Sequence, residues 1–175
     1  MSREQLQTVV IGLVVLLAQV SLAPLLEVAG FQPDLLLIFV LVITARSGGV
    51  AGLIAGFLVG LSQDFLIIGF PGVLALIKSN IAFWSGRWLQ GRDATLGVWG
   101  WTLFVFFCTL IQNSIEAIFI YHGSEIGFLT LAWRFVLPSS AYTALIALLW
   151  TLAPIGERSR QPLRPIYTKA RKPAR

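Results

Sequence analysis

The chain predicts an all-α integral membrane protein, a compact bundle of about six transmembrane helices. Three observations carry that expectation. Of 175 residues, 57% are hydrophobic and 12% charged, with a mean hydropathy of +0.82; a soluble domain carries about 25% charged residues. Apolar runs recur along the whole length, and about 20 residues cross a bilayer. Glycine returns at four-residue steps in GGVAGLIAGFLVGLSQDFLIIG. In water each helical glycine would cost about 1 kcal/mol relative to alanine, whereas in lipid small residues at this spacing are a packing surface.

The first span is expected at about Thr8 to Leu26, with Pro24 near its end. Its apolar run is longer than the core of a signal peptide, about 7–15 residues, so it reads as an anchored span. The second, about Asp34 to Ala45, is short for a straight crossing and is expected to be tilted or partly buried. Pro33 suits a helix start, where its missing N–H is not needed. The third span is the glycine run, about Gly48 to Ile68, closed by a turn at Gly69, Pro71 and Gly72. The fourth, fifth and sixth are expected at about Val73 to Trp88, Leu96 to Tyr121 and Phe128 to Leu152.

The basic residues orient this arrangement. With a cytoplasmic N-terminus, Arg3, Arg46, Arg87, Arg92 and the seven basic residues after Leu152 all fall inside. The outer loops, Glu27–Pro33, Gly69–Gly72 and His122–Gly127, hold no Lys or Arg. This is the positive-inside pattern, with both termini cytoplasmic. Residues 1–153 read as a single transmembrane domain, and 154–175 as a basic, proline-rich tail expected to be disordered and to sit near anionic lipid. The net charge of +5 is concentrated there, which argues for membrane lipids and against nucleic acid as the partner of that charge. The six tryptophans mostly fall near span ends, as an aromatic belt does.

Four charges fall within spans: Asp64, Lys78, Glu116 and Arg134. An ionised group at the bilayer centre costs roughly 2.5–3.5 kcal/mol or more, so such groups face the bundle and pair. Asp64 and Lys78 flank Pro71 at equal distance, which sets both about 10 Å below the outer turn. Glu116 and Arg134 lie in the same outer half, and Gln63, Asn80, Gln112 and Asn113 add hydrogen-bonding capacity there. The expectation is an outer polar cluster, with Asp64 paired to Lys78 or Arg134. Its two readings are an ion-pair network that locks the helices and a pocket for a ligand or partner segment. The glycines Gly48, Gly52, Gly56 and Gly60 stack on one helix face. That face either packs inside the fold or receives a partner's helix or a second copy of the chain.

Other classes are excluded by what is missing from the sequence. One Cys and one His form no metal cluster. No phosphate-binding loop, dinucleotide fingerprint or nucleophile elbow occurs. Neither a catalytic residue, a metal nor a cofactor is expected.

The stretch from Gln32 to Arg87 resembles the rod shape-determining protein MreD family. The residues that carry the likeness are PDLLLIFVLVITAR (Pro33 to Arg46), the glycine-rich span ending in GLSQD (Gly60 to Asp64), the Gly69 and Gly72 turn, and a short helix ending near Trp88. Pro33, Asp34, the four ladder glycines and Asp64 are the family-like positions. The resemblance implies a non-enzymatic scaffold in the bacterial cytoplasmic membrane. It implies MreC, a single-span coiled-coil protein, as partner, with indirect links to MreB filaments, a RodA-type glycosyltransferase and a class B penicillin-binding protein. It further implies a fold like the substrate-binding S component of energy-coupling factor transporters. The rival functions are a vitamin-binding S component and a lipid-handling membrane subunit.

Overall fold

The computed structural model describes residues 3–21, 25–27, 30–66, 72–90, 96–120 and 127–152. The expected tail over 154–175, the Gly69–Pro71 turn and His122 lie outside them. The described residues form six helical rods: α1 (Arg3–Ser21), α2 (Leu35–Ser47), α3 (Gly49–Leu66), α4 (Val73–Gln90), α5 (Val98–Ile120), and a last rod. That rod joins α6 (Phe128–Leu131), a π-helical turn (Ala132–Val136) and α7 (Leu137–Leu152) end to end. The π turn has a local cause. Pro138 cannot donate to the carbonyl four residues back and its ring crowds that carbonyl. The backbone widens ahead of it, and the Leu137 N–H donates to Ala132 O.

Three stretches are long and apolar enough to cross a membrane: Gly49–Leu66, Val98–Phe119 and Leu129–Leu152. Their outward faces are bare of polar cover, with Phe57, Phe65, Leu103, Phe107, Leu129, Trp133 and Leu149 all exposed. In water such a surface would aggregate; in lipid it is the solvent-facing side.

The 13-residue α2 is about 20 Å long, shorter than the hydrocarbon core. It lies at the centre instead. Leu36, Leu37, Val40 and Leu41 are fully buried, and Leu37, Ile38 and Leu41 pack with Val105, Cys108 and Ala147 of α5 and α7. A helix apolar on all sides is one that neighbours surround. Pro33 precedes its cap: the helix begins after Asp34, whose Oδ1 accepts the Leu37 N–H at 2.8 Å.

No loop separates α2 from α3. Gly48 makes the corner at φ +88°, a conformation open to glycine, and its N–H bonds Thr44 O at 2.9 Å. Gly48 is therefore the hinge of the corner, not a rung of the ladder. Gly49 takes the rung, and the buried stripe of α3 reads Gly49, Gly52, Gly56, Gly60, Asp64.

Candidate functional site

The ladder faces α4. A Cβ on Gly56 would stand 2.7 Å from Lys78 O, and one on Gly60 would stand 2.5 Å from Ala75 Cα. At the other end of the pair, a Cβ on Gly86 of α4 would run into the Gly49 backbone. Gly52 is filled from the other side by the Thr44 side chain of α2. The backbones of α3 and α4 touch at Gly49, Gly56 and Gly60, an approach that the missing side chains on α3 allow. The face that could have taken a partner's helix is occupied by α4. Its counterpart on α4, the small residues Ala75, Ser79 and Gly86, was not read from the sequence, although their spacing of four and seven residues was there to find.

Asp64 ends the stripe with a capping role. Its carboxylate accepts three backbone N–H groups at the start of α4: Gly72 at 3.0 Å, Leu74 at 3.2 Å and Ala75 at 3.0 Å. A helix start leaves its first N–H groups unpaired and carries partial positive charge, so a carboxylate there is doubly favoured. This replaces the expected pairing of Asp64 with Lys78 or Arg134. The two residues do not lie level: Asp64 stands at the Gly72–Ala75 end of α4, whereas Lys78 is level with Gly56, about two turns further along α3.

Lys78 turns to the centre of the bundle, where its partner is Asp34. The Lys78 ammonium is fully buried and bonds the Asp34 carboxylate directly. Gln112 of α5 completes a triangle, accepting from Lys78 Nζ at 3.0 Å and donating to Asp34 Oδ2 at 2.6 Å. The Asp34 N–H donates to Thr143 Oγ1 of α7 at 3.2 Å. Gln19 of α1 bridges the two neighbouring backbone groups, donating to Pro33 O at 3.0 Å and accepting from Leu35 N at 2.8 Å. Side chains from α1, α4, α5 and α7 thus converge on the first residues of α2. Gln19 and Thr143 could not be picked out beforehand, since nothing in their local sequence separates them from other polar residues in apolar helices.

The remaining two expected members differ. Glu116 follows Gln112 by one turn on the same face of α5 and is half-buried. Arg134 sits in the π turn and is exposed, so it is not part of the cluster. The expected set of Asp64, Lys78, Glu116 and Arg134 therefore resolves into a central Asp34–Lys78–Gln112 triangle with Glu116 beside it, an Asp64 cap, and an outward-facing Arg134.

The triangle is chemically closed. Each charge has an opposite charge and a neutral hydrogen-bond partner, as a buried pair requires. Among the described residues no three His, Cys, Asp or Glu side chains gather into a possible metal site. Cys108 is buried, with its Sγ 3.6 Å from Ser85 Oγ. The arrangement fixes helices relative to one another and offers no nucleophile beside a base.

Comparison with known proteins identifies the family. Nothing matches among curated proteins or solved structures, so the likeness to transporter S components receives no support from that side. The sequence model described as rod shape-determining protein MreD matches residues 2–153, which takes in every helix of the bundle. The chain belongs to the rod shape-determining MreD family.

Proposed function

We propose that the chain is a membrane scaffold of the bacterial cell-elongation machinery. It binds an MreC-type single-span coiled-coil protein and helps to organise side-wall peptidoglycan synthesis. MreB filaments, a RodA-type glycosyltransferase and a class B penicillin-binding protein are its indirect partners. The observation that carries this reading is the family match over residues 2–153.

The geometry supports a scaffold in two ways. The Asp34–Lys78–Gln112 triangle is satisfied within itself and ties helices together, as a scaffold requires. The described body is almost all helix with bare apolar flanks, so helix faces are its main contact surfaces. The multi-pass topology with both termini cytoplasmic follows from the distribution of Lys and Arg.

The test is affinity purification from native membranes in mild detergent, with mass spectrometry of the associated proteins. A single-span coiled-coil protein and cell-wall synthases are the expected companions. Recovery of two ATPases with a membrane coupling protein would replace the scaffold with a vitamin transporter.

A further inference from the structure

Arg134 lies within the apolar stretch Leu129–Leu152, yet it faces away from the bundle. The π turn shows why. Leu131 and Val136 are one wide turn apart and each is 3% exposed, so they mark the bundle side. Trp133 and Arg134 fall midway between them in sequence, and therefore on the opposite side of the rod. Trp133 is 78% exposed, and Arg134 is exposed beside it. One turn earlier, Leu129 at 84% continues the row of Trp133, and the exposed Thr130 continues the row of Arg134. This end of the rod thus shows the lipid an apolar strip beside a strip that carries a hydroxyl and a guanidinium.

Arg134 is five residues, about 7.5 Å, inside the start of the apolar stretch. A helical side chain leans toward the N-terminus of its helix and covers the turn before it. The N-terminal end is here the nearer membrane surface, so the guanidinium is carried back past Thr130 toward the headgroups, as long basic side chains are near span ends. Among the described residues no carboxylate pairs with it.

We infer that Thr130 and Arg134 hold the phosphate of a boundary lipid, with an acyl chain of that lipid lying along Leu129 and Trp133. A guanidinium stays charged in any surroundings, so it has to find an anion. A phosphate ester is the anion that every part of a phospholipid surface supplies, and its oxygens match the paired N–H groups of the guanidinium. Thr130 adds a hydroxyl donor one turn nearer the surface. Trp133 suits the same depth, since its ring favours the boundary between chains and headgroups. A carboxylate on a neighbouring protein helix would also answer the guanidinium, but that carboxylate would itself have to enter the apolar layer at a similar cost. With both termini cytoplasmic the site lies in the outer leaflet. The lipid is held through its phosphate, so headgroups as different as glycerol and choline are accepted.

The experiment uses the full chain purified in non-ionic detergent, with bound lipids counted by native mass spectrometry during titration. The probes are phosphatidylglycerol, phosphatidylcholine, a diacylglycerol with the same chains and no phosphate, and inorganic phosphate. Both phospholipids should bind the unaltered chain about fivefold to tenfold more tightly than they bind Arg134→Leu, and the diacylglycerol should not distinguish the two. Arg134→Lys, which keeps the charge without the fork, should fall between them. Thr130→Val should weaken binding about twofold. A phospholipid brominated on its chains should quench Trp133 fluorescence, read as the difference from Trp133→Phe, and Arg134→Leu should lower that quenching. Should Arg134→Leu fail to elute as a single species, Arg134→Gln takes its place with the same expected loss.

Equal phospholipid affinity in the unaltered chain and Arg134→Leu would overturn the site. Binding of phosphatidylglycerol without phosphatidylcholine would overturn recognition through the phosphate in favour of net headgroup charge. Displacement of the phospholipid by millimolar inorganic phosphate would overturn the lipid source and make free phosphate the occupant. Loss of a companion protein with Arg134→Leu, at unchanged lipid affinity, would assign the guanidinium to a protein carboxylate instead.

Discussion

Helix α4 has two unlike neighbours. Toward α3 it presents Ala75, Ser79 and Gly86 to a row of glycines, and the two backbones close on each other. Toward α5 it reaches across with side chains: Lys78 to Gln112 at 3.0 Å and Ser85 to Cys108 at 3.6 Å. One seam is held by shape, the other by a few polar ties with open space outside them. Without a hydrophobic drive between helices in lipid, close packing and interhelical hydrogen bonds are the two main sources of cohesion. Here a single helix uses one on each side. A seam closed by backbone contact leaves no room for another protein, whereas a tied seam keeps a surface available.

The largest effect is expected at the closed seam. Gly56→Leu places a side chain where Lys78 O already stands 2.7 Å from a bare Cβ. A single extra methyl in a well-packed site costs about 1–3 kcal/mol, and leucine adds more against backbone that cannot yield. Size-exclusion chromatography in detergent should show loss of the folded species. A normal profile would mean that α3 and α4 separate easily.

The polar ties come next. Lys78→Met leaves the Asp34 carboxylate buried without its cation, an expected loss of about 3–5 kcal/mol. Adding Asp34→Asn, which keeps an acceptor for the Leu37 N–H, should recover most of that loss in thermal melts. If the double variant melts no higher than the single one, the pair does not act as a unit. The smallest of the three is Asp64→Ala. Its three backbone donors lose their acceptor, an expected cost of about 1–2 kcal/mol, with Asp64→Ser recovering part. An unchanged melt would show that water serves the start of α4 equally well.

The sequence conveyed period well and direction poorly. The glycine repeat was visible because it needs nothing beyond spacing on one helix. It was misplaced by one residue at Gly48, since a corner made by glycine and a rung made by glycine look alike in a string of letters. Lys78 was correctly read as inward-facing, but its partner was sought at equal depth across the Pro71 turn. Counting from Pro71 set the two level, but the glycine contacts centre the α3/α4 hairpin several residues before it, so Asp64 meets the start of α4 while Lys78 lies level with Gly56 and is aimed at α2. Pro33–Asp34 and Lys78 were both singled out, for unrelated reasons, and the fold joins them. Gln19 and Thr143 carry no local mark at all, because they matter through helices distant in sequence.

The π turn at Ala132–Val136 has a consequence for how the last rod could change over time. One residue advances an α-helix by about 100°, so a turn that takes in an extra residue works as a phase adjuster between two halves of one rod. After it, Ser140, Thr143, Ala144 and Ala147 are buried on the bundle side; within it, Trp133, Arg134 and Phe135 are exposed. Deleting a single residue within Ala132–Val136 would restore plain α-helical winding. Because the wide turn absorbs its extra residue, the helix on either side would keep its facing, and the contact of α7 with α5 would stay in place. A one-codon change can thus remove the wide turn without disturbing the seam that anchors the rod.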